Sequence, residues 1–235
     1  MAVYKIFPFK DTSLYSLYPN MNTGIDPINQ VSNLNFALLT SATVARTLIE
    51  FSSEEIVDLL DGIVSGYTWD TYFRSYIATA QGIVETSTIE VRPVAESWNN
   101  GTGTYLDSPL TTDGIEYAIS QTFGLRSSKD LKVNTTTIVS SWYSASSGLG
   151  GIENNGFIIK WEDAIEFNPN KQVQPVMQYY SVDTNTIYPP ELEFRWDDSS
   201  WDIGSSTIPE LLQPNCFVSL AENPGVFLSE SINIL

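Results

Sequence analysis

The strongest constraint on the fold is the alternation over residues 88–92, where Ile89 and Val91 are interleaved with Thr88, Glu90 and Arg92. Residues two apart on an extended chain share a face, so this run reads as a strand with one apolar and one wet side. Thr71 to Thr79 supplies a partner strand and Gln81-Gly82 a turn, which predicts a β-hairpin. Pro93, Glu96-Ser97-Trp98 and the Gly/Thr/Asn-rich run Asn99 to Thr104 then make a tryptophan loop. Val44 to Phe51, Gly156 to Trp161 and Val176 to Tyr180 read as further strands. Glu191 to Trp196 alternates with Leu192, Phe194 and Trp196 inward and Glu193 and Arg195 outward. Ile6 to Tyr18 is extended, punctuated by Pro8 and Pro19. The Thr-rich, β-branched run Val133 to Tyr143 is expected as a strand, followed by a loop from Ser144 to Gly151. Many short strands separated by turn residues predict an all-β fold, a β-sandwich or jelly roll.

Two short helices are expected beside the strands. Ser52 and Glu55 have the spacing of a capping box, with Ile56, Leu59 and Leu60 on one side and Asp61-Gly62 as the stop. Asp113 to Phe123 is a second candidate, with Ile115, Ile119 and Phe123 at helical spacing. After Trp196 the character changes to two prolines, short apolar runs and the apolar end Ile232 to Leu235. The division expected is a sandwich domain over 1–197 and a C-terminal extension or docking segment over 198–235.

Composition narrows the function classes. The chain has 235 residues, 28 acidic and 11 basic, and a net charge of −17. Such a field repels phosphate backbones, so no nucleic-acid partner is expected. The single Cys216 lies in an apolar run and forms no intrachain disulfide. No signal-like N-terminus and no long apolar window is found, so the chain is expected to be made in a cytoplasm without a membrane span. There is no histidine. That removes Ser-His-Asp and Cys-His catalysis and most zinc sites.

The order of motifs resembles the DNRLRE domain, a β-sandwich. The motifs are Asp11-Thr12, Tyr18-Pro19 and Asn22-Thr23-Gly24, then Arg46-Thr47-Leu48-Ile49-Glu50-Phe51-Ser52-Ser53. Val91-Arg92-Pro93-Val94, Glu96-Ser97-Trp98 and Gly101-Thr102-Gly103-Thr104 follow, then Asn154-Asn155-Gly156-Phe157 and Pro190-Glu191-Leu192-Glu193-Phe194. The resemblance covers roughly residues 6 to 197. The helix at Ser52 and the residues beyond 197 depart from it. It implies surface roles, as in adhesins, wall proteins and bacteriophage virions. The acidic, Asn/Thr/Tyr-rich style and the missing signal fit a virion protein, released by lysis.

Chemistry is sparsely signalled. The carboxylate pairs Glu54/Glu55, Glu162/Asp163 and Asp197/Asp198 are candidates for glycosidase work, but Glu162 and Asp163 would point to opposite faces of a strand that continues through them. Asp11, Asn22 and Asp26 are the candidate oxygen ligands for a structural Ca²⁺, without EF-hand spacing; no other cofactor is expected. Trp98, Tyr105, Trp142 and Tyr143 are the candidate sugar-binding aromatics, against the alternative that they fill the core. Tyr4, Ile6, Phe7, Phe9, Trp201, Phe217, Phe227, Ile232, Ile234 and Leu235 are the candidate docking residues at the chain ends, because extended apolar ends can add to sheet edges. The function expected is that of a non-enzymatic structural component of a phage particle, in tail, baseplate, neck or capsid surface, docking on other virion proteins in a symmetric assembly. A carbohydrate-binding or host-adhesion module is the alternative, with a host-surface glycan as partner.

Overall fold

The computed structural model describes residues 2–18, 21, 23–34, 43–83, 86–99, 118–166 and 175–198. In chain order its elements are β1 (Ala2–Ile6), β2 (Lys10–Tyr15), β3 (Ile28–Leu34), β4 (Thr43–Glu50), α1 (Ser53–Asp61), β5 (Trp69–Ser75), β6 (Ile77–Gln81) and β7 (Ser87–Pro93), then β8 (Ile119–Phe123), β9 (Leu131–Asn134), α2 (Thr136–Ser146), β10 (Phe157–Trp161), α3 (Asp163–Glu166), β11 (Val176–Tyr180) and β12 (Glu191–Trp196). The fold is all-β, with three short helices beside curled antiparallel sheets that form a sandwich-like half-barrel. One sheet has the order β1-β12-β5-β9. The larger runs β6-β11-β3-β4-β10-β7-β8, with β2 also paired to β4.

The core lies between the sheets. From the smaller sheet Ile6, Phe73, Val133, Leu192 and Phe194 point inward, and from the larger Val31, Ile49, Ile89, Val91, Phe157 and Ile159 meet them. Phe157 sits at the centre, 5.2 Å from Phe73 and 4.7 Å from Trp142 between ring centroids. Ile56, Leu59 and Leu60 of α1 and Ile138, Val139 and Trp142 of α2 join the same cluster, so both helices rest on it. The expected capping box forms: the Ser52 hydroxyl accepts the Glu55 N–H at 3.2 Å.

Three expectations are corrected. The hairpin of residues 71–92 does not form. The chain leaves one sheet at Tyr76 and enters the other, β5 pairing with β12 and β9, β6 with β11, and β7 with β10 and β8. The run Val133 to Tyr143 is strand only to Asn134. Asn134 Oδ1 accepts the Thr136 N–H at 3.0 Å, and Ile138, Val139 and Trp142 then line one helical face. Burial of that face overrides the β preference of the threonines. Ile119 to Phe123, expected as the end of a helix, is strand β8; residues 113–117 lie outside the described ones.

Candidate functional site

The outer face of the smaller sheet carries the most organised surface chemistry. Register places Lys5, Glu193, Tyr72 and Asn134 on one rung, Glu191, Arg74 and Lys132 on the next, and Val3, Arg195 and Asp70 on a third. An antiparallel sheet can leave one face to water, and apart from Val3 the residues of these three rungs are polar. Glu191 lies 3.1 Å from Lys5 and 3.7 Å from Arg74. Glu193 lies 3.3 Å from Arg74 and 3.1 Å from Arg195. Both glutamates are buried although they point outward, because long cationic side chains lie across them. Lys132 and Arg195 each stand 5.1 Å from the Tyr72 ring centroid, two cation–π contacts to one ring. Four of the chain's 11 basic residues, Lys5, Arg74, Lys132 and Arg195, thus gather on one face of an acidic protein.

The two edges of this sheet differ. At β9, the Gln121 side chain of β8 accepts the Lys132 N–H at 2.7 Å and donates to the Asp130 carbonyl at 3.0 Å, bridging to the larger sheet. At β1, one side is bonded to β12 and the other has no strand beside it among the described residues. Val3 (48 %) and Tyr4 (38 %) of β1 are exposed, as are Phe7 (48 %) and Phe9 (59 %) after it, Phe9 donating its N–H to the Glu50 carbonyl of the larger sheet. Ile6 is corrected: it is fully buried in the core and offers nothing to a neighbour. Trp201, Phe217, Phe227, Ile232, Ile234 and Leu235 lie outside the described residues.

Where the chain switches sheets, three tyrosines meet. The ring of Tyr188 lies 5.4 Å from that of Tyr76 and 6.3 Å from that of Tyr180. The Tyr76 hydroxyl donates to Glu191 Oε1 at 3.1 Å, and burial and that carboxylate hold its pKa above the ordinary range. None of the three was signalled by sequence. Tyr76 lies about a hundred residues from the other two in the chain, and the Tyr180 N–H donates to its carbonyl at 3.0 Å beside the β6–β11 pairing.

The sugar-binding aromatics are placed differently from the expectation. Trp98 is 5 % exposed, in a satellite core with Leu14, Leu48, Val94 and Ile158. Its indole N–H donates to the Asn155 carbonyl at 2.9 Å, and Lys10 Nζ sits 4.5 Å above its ring. Trp142 is 1 % exposed in the main core. Tyr143 packs partly against that core, and its hydroxyl donates to Asp61. Tyr105 lies outside the described residues. Trp98 and Trp142 are therefore structural, and their rings are not presented to a ligand.

Two of the three calcium candidates, Asp11 and Asp26, lie among the described residues. Asp11 is buried, and its Oδ2 accepts from the Val182 N–H at 2.8 Å and Asn29 Nδ2 at 2.9 Å. Burial pushes its pKa up to about 6. Asp26 is exposed, and Asn22 lies outside the described residues. Among the described residues no group of three or more His, Cys, Asp or Glu is placed to hold a metal. No described helix is long and apolar enough to cross a membrane.

Of the carboxylate pairs, Glu54 and Glu55 are exposed in the first turn of α1. Asp163 opens α3, and its bond to Lys160 holds it below the usual carboxylate range. Its neighbourhood is an ion network on the outer face of the larger sheet. Glu166, fully buried, lies 2.5 Å from Arg46 and 3.1 Å from Lys160, and Arg92 pairs with Glu90. These carboxylates are committed to neighbouring cations and hold α3 on the sheet. No protein-family model matches the chain, and no curated protein sequence matches it, so the DNRLRE resemblance rests on its motifs alone.

Proposed function

We propose that this protein is a non-enzymatic structural module that acts by protein–protein docking, as a component of a bacteriophage particle. The observation that supports the docking reading is the edge of β1, which has no strand beside it among the described residues and is flanked by exposed Val3, Tyr4 and Phe7. Unpaired edges template strand addition, and monomeric proteins usually blunt them. The polar, ion-paired face behind the edge adds rim interactions that fix register more than they add affinity. The phage assignment rests on the motif order and the acidic composition. Symmetric repetition in a particle multiplies weak edge contacts into stable attachment.

The test is two-fold. Mass spectrometry of purified particles from the host that carries this sequence should find the protein in stoichiometric amount. Val3→Lys combined with Phe7→Asp should leave the melting curve of the isolated protein nearly unchanged and remove it from particles. A protein absent from particles, or incorporated normally with the edge altered, refutes the reading.

A further inference from the structure

The placement of the cations points to a second surface beyond the β1 edge: we propose that the outer face of the smaller sheet docks the acidic side of α1 from a second copy of this chain. The proposal rests on the docking reading and gives it a partner. Lys5, Arg74, Lys132 and Arg195 gather on that face in a chain with 28 acidic and 11 basic residues. The cations of the larger sheet are engaged differently. Lys10, Arg46, Arg92 and Lys160 pair with carboxylates there, and their side chains are 16 % exposed or less. On the smaller sheet the side chains of Lys5, Arg74 and Arg195 are 43 %, 27 % and 32 % exposed, while Glu191 and Glu193 beneath them are 6 % and 5 % exposed. Three cations thus share two carboxylates, and a partner meets the cations first. Asp70 is the one exposed carboxylate of these rungs. Lys132 is exposed and makes no ion pair among the described residues. The shared glutamates hold both guanidinium groups in place, so less rotamer freedom is left to lose on binding.

Helix α1 supplies the complement. Glu54, Asp58 and Asp61 recur at helical spacing and so share one stripe, with Glu55 beside them. All four are exposed while Ile56, Leu59 and Leu60 turn to the core, and none of the four pairs with a cation among the described residues. The stripe is about 10 Å long. The cations from β1 to β9 span about 14 Å across four strands, so one helix can lie along them. Within a copy α1 rests on the core, whereas this sheet face points away from it, and no ion pair joins the two among the described residues. Each copy therefore offers both halves of the contact to others. A contact between two different patches is heterologous and builds rings or filaments, which suits the symmetric assembly proposed above. The net charge of −17 repels copies at long range. That repulsion is screened beyond about 10 Å at about 0.1 M salt, while pairs made at contact persist.

Sedimentation velocity of the full protein tests this. At about 0.1 M salt association should grow with concentration, and at about 0.5 M salt the protein should be a monomer. Two variants split the contact. Lys132→Glu with Asn134→Asp reverses the sheet face. Neither side chain pairs with a carboxylate among the described residues, and the aspartate keeps the oxygen that accepts the Thr136 N–H. Glu54→Lys with Asp58→Lys reverses the helix. Each variant alone should associate about tenfold more weakly or not at all, with a melting curve close to that of the wild type. An equimolar mixture of the two should associate again, because each then meets the opposite charge on the other. A wild type that is monomeric at both salts overturns the proposal, as does association undiminished in either variant or absent from the mixture. Val3→Lys combined with Phe7→Asp should leave this association unchanged; its loss there assigns the contact to the β1 edge and overturns the proposal. A monomeric wild type that is still found in particles sinks this contact alone and leaves the docking reading standing.

Discussion

Asp11→Asn isolates the cost of one buried charge. The Asp11 carboxyl is fully buried, and desolvation lifts its pKa from 3.8 to about 6, with Asp183 adding to the rise and the bonds from Val182 and Asn29 opposing it. An acid whose pKa is raised by folding binds more protons in the native state than in the unfolded one. Its stabilising contribution is therefore complete below about pH 4 and is lost as pH rises to about 6 and beyond. A shift of about two units corresponds to about 3 kcal/mol at neutral pH. Asparagine keeps an oxygen where Oδ2 accepts from Val182 at 2.8 Å and Asn29 at 2.9 Å, and it carries no charge. Urea unfolding followed by tryptophan fluorescence at fixed pH from 3.5 to 8 reads the difference between the two proteins. The variant should match the wild type near pH 3.5 and exceed it by about 2–3 kcal/mol at pH 7, the gap opening between pH 4 and 6. Two parallel pH curves, or a variant that is less stable at pH 7, would refute the reasoning, because the carboxylate's bonds would then outweigh its desolvation.

Three further perturbations probe the frame that positions the surfaces. Glu166→Gln removes the buried carboxylate between Arg46 and Lys160 and should cost about 3–5 kcal/mol by denaturant unfolding, with little relief from added salt. Gly156→Ala should cost about 3 kcal/mol or more, since φ is +85° and the new Cβ would stand 2.2 Å from the Ile49 carbonyl. Gly66→Ala, at φ +86° in open space, should cost only about 1–2 kcal/mol, and equal losses at the two glycines would show that the close approach of β10 to β4 does not matter. Ser52→Ala should lower stability by about 1 kcal/mol through loss of the α1 cap, read from the shift in thermal midpoint.

The sandwich and most of its strands are legible because period-two alternation is a local property. Leu192, Phe194 and Trp196 read inward from sequence and are inward in the core. Glu193 reads as solvated and is buried instead, because whether a wet face is covered depends on which strands lie alongside. The same limit defeats the hairpin of residues 71–92: β5 and β6 are one extended run in sequence, and nothing local marks Tyr76 as the point where the chain crosses between sheets. At Thr135 to Tyr143 the β-branched composition points to a strand while the spacing of Ile138, Val139 and Trp142 already fits a helical face; packing decides between them. Large aromatics carry no sign of their burial. Trp98 and Trp142 are in cores, whereas Tyr76, at the link between β5 and β6, meets Tyr188 of a later loop.

The unequal edges of the smaller sheet bear on what can dock there. At β9 the amide of Gln121 stands in for a neighbouring strand, and Asp130 Oδ1 accepts the Ile77 N–H at 3.0 Å just beyond it, so that edge is used internally. At β1 the usual protections are few: the five residues Ala2–Ile6 include no proline and a single charge, Lys5. The element ends at Ile6 and Pro8 follows two residues later, a position that cannot donate to a ladder. An added strand is therefore confined to about five residues, too short a ladder to hold alone in water. Its stability has to come from side chains on both faces: an apolar one beside Tyr4 on the inner face, and on the outer face groups beside Val3 and Lys5 that do not repel the ammonium. That requirement makes the edge selective, because a strand shifted by one residue exchanges its two faces and meets the charged side with its apolar one.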